Sequence, residues 1–294
     1  MNNQLKVAIV LLSILVCFCL LSFFPDILQS EDEIKTFYTE EDGTILIPPY
    51  PPSSTNWLGT NQNGEDILTL LITAGRDTLL VVLAISLIRF VIAVPLGMLS
   101  YQNKGICHWI IHGLNTFFSM VPILIFTILV LNLPFLVVSE QRLLWALVLI
   151  ALLECGRVGV SVQNHVRQVY QSSYMEGAIV NGSRPSTIFK YYYWRHLKPQ
   201  LIVMFFLDTS KVMLLLGQLG FLSIFLSQMW LDEEGVGIVV RNTLQLWPSM
   251  LADTRQYLRS DIWIPLFPAL LIAYTIFSLQ LFGEGLRKQL EQRK

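Results

Sequence analysis

Five ionisable residues stand where an apolar chain tolerates charge least. Arg89 lies in the run 78–100, Glu154 and Arg157 in the run 143–162, and Asp208 and Lys211 in the run 200–222. A charge within hydrocarbon is costly, so such groups turn toward a bundle interior, toward water or toward each other, and they mark substrate routes or helix-packing pairs. The i, i+3 spacing puts Glu154 beside Arg157 and Asp208 beside Lys211, each pair on one helical face. Both readings stand for these pairs: pathway residues, or partners that neutralise one another. Arg89 has no such neighbour and stands alone in its run beside Pro95.

Other spacings suggest chemistry and lose it on inspection. In LGTNQNGEDILTLL, residues 58–71, Gly59 and Gly64 have the separation of a nucleotide-binding P-loop. That loop needs Lys and then Ser or Thr after its second glycine, to reach phosphate and to hold Mg²⁺. Glu65 and Asp66 occupy those places and would repel a triphosphate. His108 and His112 in HWIIH are one turn apart, yet the zinc-protease pattern is absent and no carboxylate or Cys completes a site, so they read as surface histidines at a membrane boundary. No G-x-S-x-G elbow is present. Cys17, Cys19, Cys107 and Cys155 lie in or beside apolar runs without ligand or disulfide spacing and read as small apolar fillers. No catalytic group, cofactor or metal is expected.

The elements that must position the five charges follow from composition. Hydrophobic residues make up 53% of the chain and charged residues 14%, outside the balance of a soluble domain. Apolar runs at 5–24, 78–100, 117–138, 143–162, 200–222 and 262–282 are long enough to cross a hydrocarbon core at about 1.5 Å per residue. The first run ends in FFPDILQS without a small-residue cleavage site, which predicts an uncleaved helix. Lys6, Lys104, the basic residues Arg157, Arg167, Arg184, Lys190, Arg195 and Lys198, and the tail RKQLEQRK fall on one side. By the positive-inside rule that side is the cytoplasm, with both termini in it. The acidic segments 25–77 and 220–261 then face outward. Trp57 and the amphipathic sequence after it suit either a short interfacial helix or a connecting loop.

The cytoplasmic stretch 157–199 is too long and too patterned for a connector. A helical turn through Glu176, Gly177 and Ala178 stops at Asn181 and Gly182, and Ser183 can cap a second helix with Pro185 in its first turn. Helix, glycine corner and helix form either a knob suited to docking or a basic loop that simply follows the positive-inside rule, with Gly182 only turning the chain.

Three separated motifs resemble the permease subunits of bacterial ABC importers, specifically the oligopeptide, dipeptide and nickel family and its second-permease type. LGTNQNGEDILTLLITAGRDTLLV resembles that family's LGTDxxGRDxLSRLxxGxRxSLxV, YMEGAIVNGS resembles its EAA loop, and PSMLADTRQYL with GEGLRKQLE resembles its MLADGRxYL and GDxLRDxLD. Together they span 57–291 in the family's order.

The resemblance implies an all-α polytopic membrane protein with six transmembrane helices and the type I ABC importer permease fold. It implies an N-terminal helix with an extracytoplasmic segment (1–77), then a core permease domain (78–294) with a cytoplasmic coupling loop at about 163–199 and an extracytoplasmic loop at about 223–261. The chain would be half of a translocation pathway for peptides, nickel or a metal chelate, in the bacterial cell membrane. Implied partners are a second homologous permease, two cytoplasmic ATPase subunits that hydrolyse the ATP, an extracytoplasmic substrate-binding protein and membrane lipid, without nucleic acid. The ATPase-coupling corner falls on Tyr174, Glu176, Gly177, Ala178, Gly182, Ser183 and Arg184. The family's Asp, Arg and Gly are replaced by Asn61, Glu65 and Thr254, and the loop-closing proline appears at Pro199, about four residues late. Outside the resemblance, an ion-coupled carrier using Asp208 and Lys211, or a membrane scaffold or sensor, fits the same spans.

Overall fold

A computed structural model describes residues 3–23, 38–39, 45–54, 56–173, 175, 177, 181, 193–233 and 237–292, except for the side chains at 38–39, 45–46 and 229–241. Among the described residues the fold is helical apart from two small antiparallel ribbons. Among the described residues four helices are long and apolar enough to cross a membrane: α1 (Asn3–Leu20, extended by a 3₁₀ turn to Phe23), α2 (Ile67–Leu99), α8 (Trp194–Phe221) and α10 (Trp263–Glu291). Two bent pairs bring the number of candidate spans up to six: α3 (Ile106–Ser119) with α4 (Ile123–Leu131), and α6 (Arg142–Leu153) with α7 (Cys155–Tyr170). The short helices α5 (Pro134–Val137) and α9 (Thr254–Tyr257) lie between them. Strands β1 (Tyr38–Thr39) and β2 (Ile45–Leu46) pair, as do β3 (Gln228–Glu233) and β4 (Gly237–Asn242), with Gln228 opposite Asn242.

Besides the earlier start of α8 at Trp194 and the later end of α10 at Glu291, three spans differ from their sequence expectation. The second begins at Ile67 rather than 78, so Ile67 to Leu71 are the first turn of α2 and not a separate interfacial helix. The third is not one rod over 117–138. Its two arms bend by 96° at the gap before Pro122, which is the extended N-cap of α4; proline cannot donate to a preceding turn, and it disfavours helix at the residue before it. The fourth bends by 44° at Glu154, where hydropathy gives no signal.

The chain forms two compact units: Met1–Lys6, Leu83–Val212 and Leu279–Lys294 in one, Val7–Val82 and Met213–Ser278 in the other. In the first, Phe90, Ala93, Cys155, Val158, Val162, Val166 and Leu197 form a buried apolar cluster. Gly156 lets α7 touch α3, since a Cβ there would stand 2.5 Å from Asn115 N and 2.8 Å from Leu114 Cβ. Gln163, buried, ties the turn after α2 to α3: its amide nitrogen donates to Ser100 O and Asn103 Oδ1, both at 2.7 Å, and its oxygen lies 2.9 Å from His112 Nε2. His108 Nδ1 is 3.1 Å from the same amide nitrogen, so the two histidines belong to a partly buried hydrogen-bonded hub rather than to a free surface. At the unit's other edge the chain ends meet, with Lys288 Nζ donating to Gln4 Oε1 at 3.0 Å and Gly285 seated on the Leu5 backbone.

In the second unit the stretch 58–66 is a built turn leading into α2. Gly59 and Gly64 take positive φ of 80° and 79°, open to glycine without strain. Asp66 caps the helix through Oδ2, which accepts from Thr69 N and Thr69 Oγ1 at 2.9 and 3.0 Å. Asn61 Oδ1 accepts from the backbone of Asn63 and Glu65, and Asn61 Nδ2 donates to Glu65 Oε2 at 2.6 Å. The two positions that depart from the family motif therefore bond each other.

Candidate functional site

Three segments far apart in sequence bring four of the five intramembrane charges together. Arg89 on α2 is fully buried, and its Nη1 donates to both oxygens of Asp208 on α8, at 2.9 and 2.8 Å, and to Glu154 Oε2 at 3.1 Å. Arg157 Nη2 donates to the same Glu154 oxygen at 2.8 Å and to Asp208 Oδ1 at 3.3 Å. Two guanidinium groups face two carboxylates, so the cluster is neutral in sum. Arg89 is thus not solitary.

The break at Glu154 explains the rest of Arg89's contacts. A helix leaves its last four carbonyls without intrahelical partners. Ile150 and Ala151 are among those four in α6, and they receive Arg89 Nη2 at 3.1 Å and Nε at 3.2 Å. One planar fork therefore caps the end of α6 and binds two carboxylates at once, which an ammonium on a flexible stem cannot do. A cation at a helix C-terminus is also favoured by the aligned peptide dipoles.

Asp208 is 5% exposed and both its oxygens are engaged. It holds α8 to α2 and the α6–α7 elbow. Lys211, expected as its partner, makes no ion pair within 4.0 Å among the described residues and is exposed on α8. Glu154 and Arg157 do pair, but as two members of the larger cluster. The spacing rule finds partners only along one helix. What could have found the rest is charge balance: a lone arginine in one apolar run requires carboxylates, and only Glu154 and Asp208 lie within the others.

Most of the docking corner, Tyr174, Glu176, Ala178, Gly182, Ser183 and Arg184, lies outside the described residues. Gly177 is described: no described heavy atom comes within 4 Å of where a Cβ would stand, and Asn181 N donates to its carbonyl at 3.1 Å, one α-helical turn. Pro199 lies inside α8, which begins at Trp194.

A site that sequence reasoning missed is Trp247, just ahead of the PSMLADTRQYL motif. It is fully buried, its indole N–H donates to Leu71 O at 2.7 Å, and its backbone N–H donates to Thr78 Oγ1 at 2.9 Å. Gly75 lies under the ring, where a Cβ would stand 2.8 Å from Trp247 Cζ2. Trp247, next to the PSMLADTRQYL motif, thus anchors the early part of α2 directly. Among the described residues no three His, Cys, Asp or Glu side chains are grouped to hold a metal ion.

Residues 93–294 match the family described as binding-protein-dependent transport system inner membrane component. The probable D,D-dipeptide transport system permease protein of Escherichia coli is 25% identical over 243 residues, 83% of this chain and 75% of the relative. The dipeptide transport system permease protein of Alkalihalophilus pseudofirmus is 25% identical over 289 residues, 98% of this chain and 86% of the relative. The oligopeptide transport system permease protein of Bacillus subtilis is 24% identical over 290 residues, again 98% and 86%. With its apolar spans locked by a neutral charge cluster and its family matched from within α2 to the C-terminus, this chain belongs to the inner membrane components of binding-protein-dependent transport systems, membrane-embedded permeases with the type I ABC importer fold.

Proposed function

We propose that the chain is one of two homologous permeases of a bacterial peptide importer, forming half of the route across the cell membrane. The observation that carries this reading is that relatives named for dipeptide and oligopeptide transport align over nearly the entire chain. Two ATPase subunits dock from the cytoplasm and hydrolyse the ATP, and an external binding protein delivers cargo. Metal chelates or nickel are the neighbouring cargo class.

In this reading residues 1–77 add a helix and an outer segment to a core of 78–294. The knob at 174–184 carries the ATPase contact through Tyr174, Glu176, Gly177, Ala178, Gly182, Ser183 and Arg184. The bond between Lys288 and Gln4 supports placing both termini on one face, which the basic residues make cytoplasmic. ATPase closure moves the knob and rocks the spans between two states, and it can do so only if the knob binds differently in each. The neutral cluster of Arg89, Glu154, Arg157 and Asp208 makes the moving part rigid.

Gly182→Val in the reconstituted complex tests the coupling. The expected result is loss of substrate-stimulated ATPase and of uptake, with all subunits still assembled in the membrane. Unchanged uptake and ATPase would overturn the docking role, and uptake that survives ATP depletion with the proton gradient intact would replace the importer with an ion-coupled carrier.

A further inference from the structure

The four-charge cluster leaves a fifth charge over. Lys211 stands one turn from Asp208, a spacing at which opposite charges ordinarily pair. Asp208 is not available, because Arg89 occupies both its oxygens and Arg157 shares one. The cluster already sums to zero and no carboxylate among the described residues pairs with Lys211, so Lys211 adds a net positive charge to an apolar helix.

Its position makes that charge hard to explain as packing. Lys211 is exposed and lies ten residues from the C-terminal end of α8, so it is about 15 Å inside the helix end. A lysine stem reaches water from near a helix end but not from that depth. Facing lipid, such a charge would carry the full penalty of a mid-span cation. The same stripe of α8 holds Leu214, Gln218 and Phe221, all exposed, and Gln218 lies seven residues on, almost directly in line with Lys211. An amide about 10.5 Å along the helix from an ammonium suits a ligand laid along the stripe, with an anionic end and hydrogen-bonding groups behind it.

We infer that Lys211 is a carboxylate subsite of the translocation route, taking the terminal carboxylate of a peptide in transit while Gln218 meets its amide groups. This rests on the peptide-importer reading above. A peptide presents a carboxylate followed by amides at regular intervals, which matches an ammonium followed by a primary amide better than a single carboxylate from the second permease would. The contact is brief, because the lysine is open to solvent and exchanges the cargo for water.

The test compares uptake of one peptide with a free C-terminal carboxylate and the same peptide amidated at that end. The complete importer is reconstituted in liposomes with wild type, Lys211→Gln and Lys211→Arg. The expected result is a fall in the acid-to-amide uptake ratio of about tenfold in Lys211→Gln relative to wild type, the scale of one hydrogen bond to a charged group, with Lys211→Arg retaining the ratio. An unchanged ratio in Lys211→Gln overturns the inference. So does loss of the second permease from the purified Lys211→Gln complex with equal loss for both peptides, which would assign Lys211 to a subunit ion pair. A wild-type importer that carries neither peptide overturns the peptide reading itself, a result separate from a failed ratio in an active wild type.

Discussion

Arg89 and Asp208 are 119 residues apart in the chain and meet through hydrogen bonds of 2.8 and 2.9 Å, with the arginine fully buried. An ion pair withdrawn from water recovers its desolvation cost only when geometry is good and the remaining donors are satisfied. Here the guanidinium also serves Glu154 and two carbonyls at the end of α6. The pair is therefore a junction of three segments, and its worth lies in what is stranded when it is broken.

Arg89→Met leaves two carboxylates to Arg157 alone and two helix-end carbonyls without donors. The expected cost is about 3–5 kcal/mol, read as a lowered midpoint in thermal or denaturant unfolding of the solubilised permease. Arg89→Lys keeps the charge but not the fork, and is expected to recover only a minor part. Adding Asp208→Asn to Arg89→Met removes the stranded charge, so the double variant is expected to lie above the sum of the singles by about 1 kcal/mol or more. Strict additivity would show that the residues do not act as a unit.

The two halves of this junction were unequally legible. The runs around 5–24, 200–222 and 262–282 fixed three helices to within a few residues at most edges, because membrane hydropathy acts locally. α10 runs on past its apolar run to Glu291, and there Gly285 packs on Leu5 and Lys288 donates to Gln4. The elbow at Glu154 had no local signal, since the helix breaks at a carboxylate whose partners lie on other helices. Arg89 announced that it needed counter-charges without saying which. Spacing alone pairs Lys211 with Asp208, and the pairing is absent because a fork from α2 satisfies Asp208 better than a neighbour on its own helix. In the turn at 58–66, Asn61 and Glu65 each read as a lost polar contact, whereas together they make one.

Outside the spans, Tyr257 gives the fold a pH dependence with a definite sign. Burial first, and then the carboxylates of Asp253 and Asp261, raise its phenol above the ordinary value. A group whose folded-state pKa is raised contributes stability that is complete below the unfolded pKa, here about 10, and is lost as pH rises through the folded one. Unfolding midpoints of wild type and Tyr257→Phe are expected to run parallel from pH 7 to about 9.5 and to separate above pH ~10, where wild type falls more steeply. Parallel curves throughout the alkaline range would remove Tyr257 from the titration.

Gly75 and Trp247 offer a test of what holds the segment around Trp247 on α2. A methyl at Gly75 would meet Trp247 Cζ2 at 2.8 Å and Cys19 Sγ at 3.2 Å, so Gly75→Ala must displace a fully buried indole. Overpacking of this kind costs about 1–3 kcal/mol. Trp247→Phe removes the part of the ring that Gly75 faces, together with the donor to Leu71 O. That carbonyl lies inside α2 and keeps its helical partner, so the lost bond itself is expected to cost only about 0.5–1.5 kcal/mol. The two changes are opposite in volume at one contact. Gly75→Ala with Trp247→Phe is therefore expected to be more stable than the sum of the single variants by ~1 kcal/mol, measured as a double-mutant cycle on unfolding midpoints. A cycle that closes at zero would mean that the tryptophan sits on α2 by its hydrogen bonds alone, and that the glycine answers to Cys19 instead.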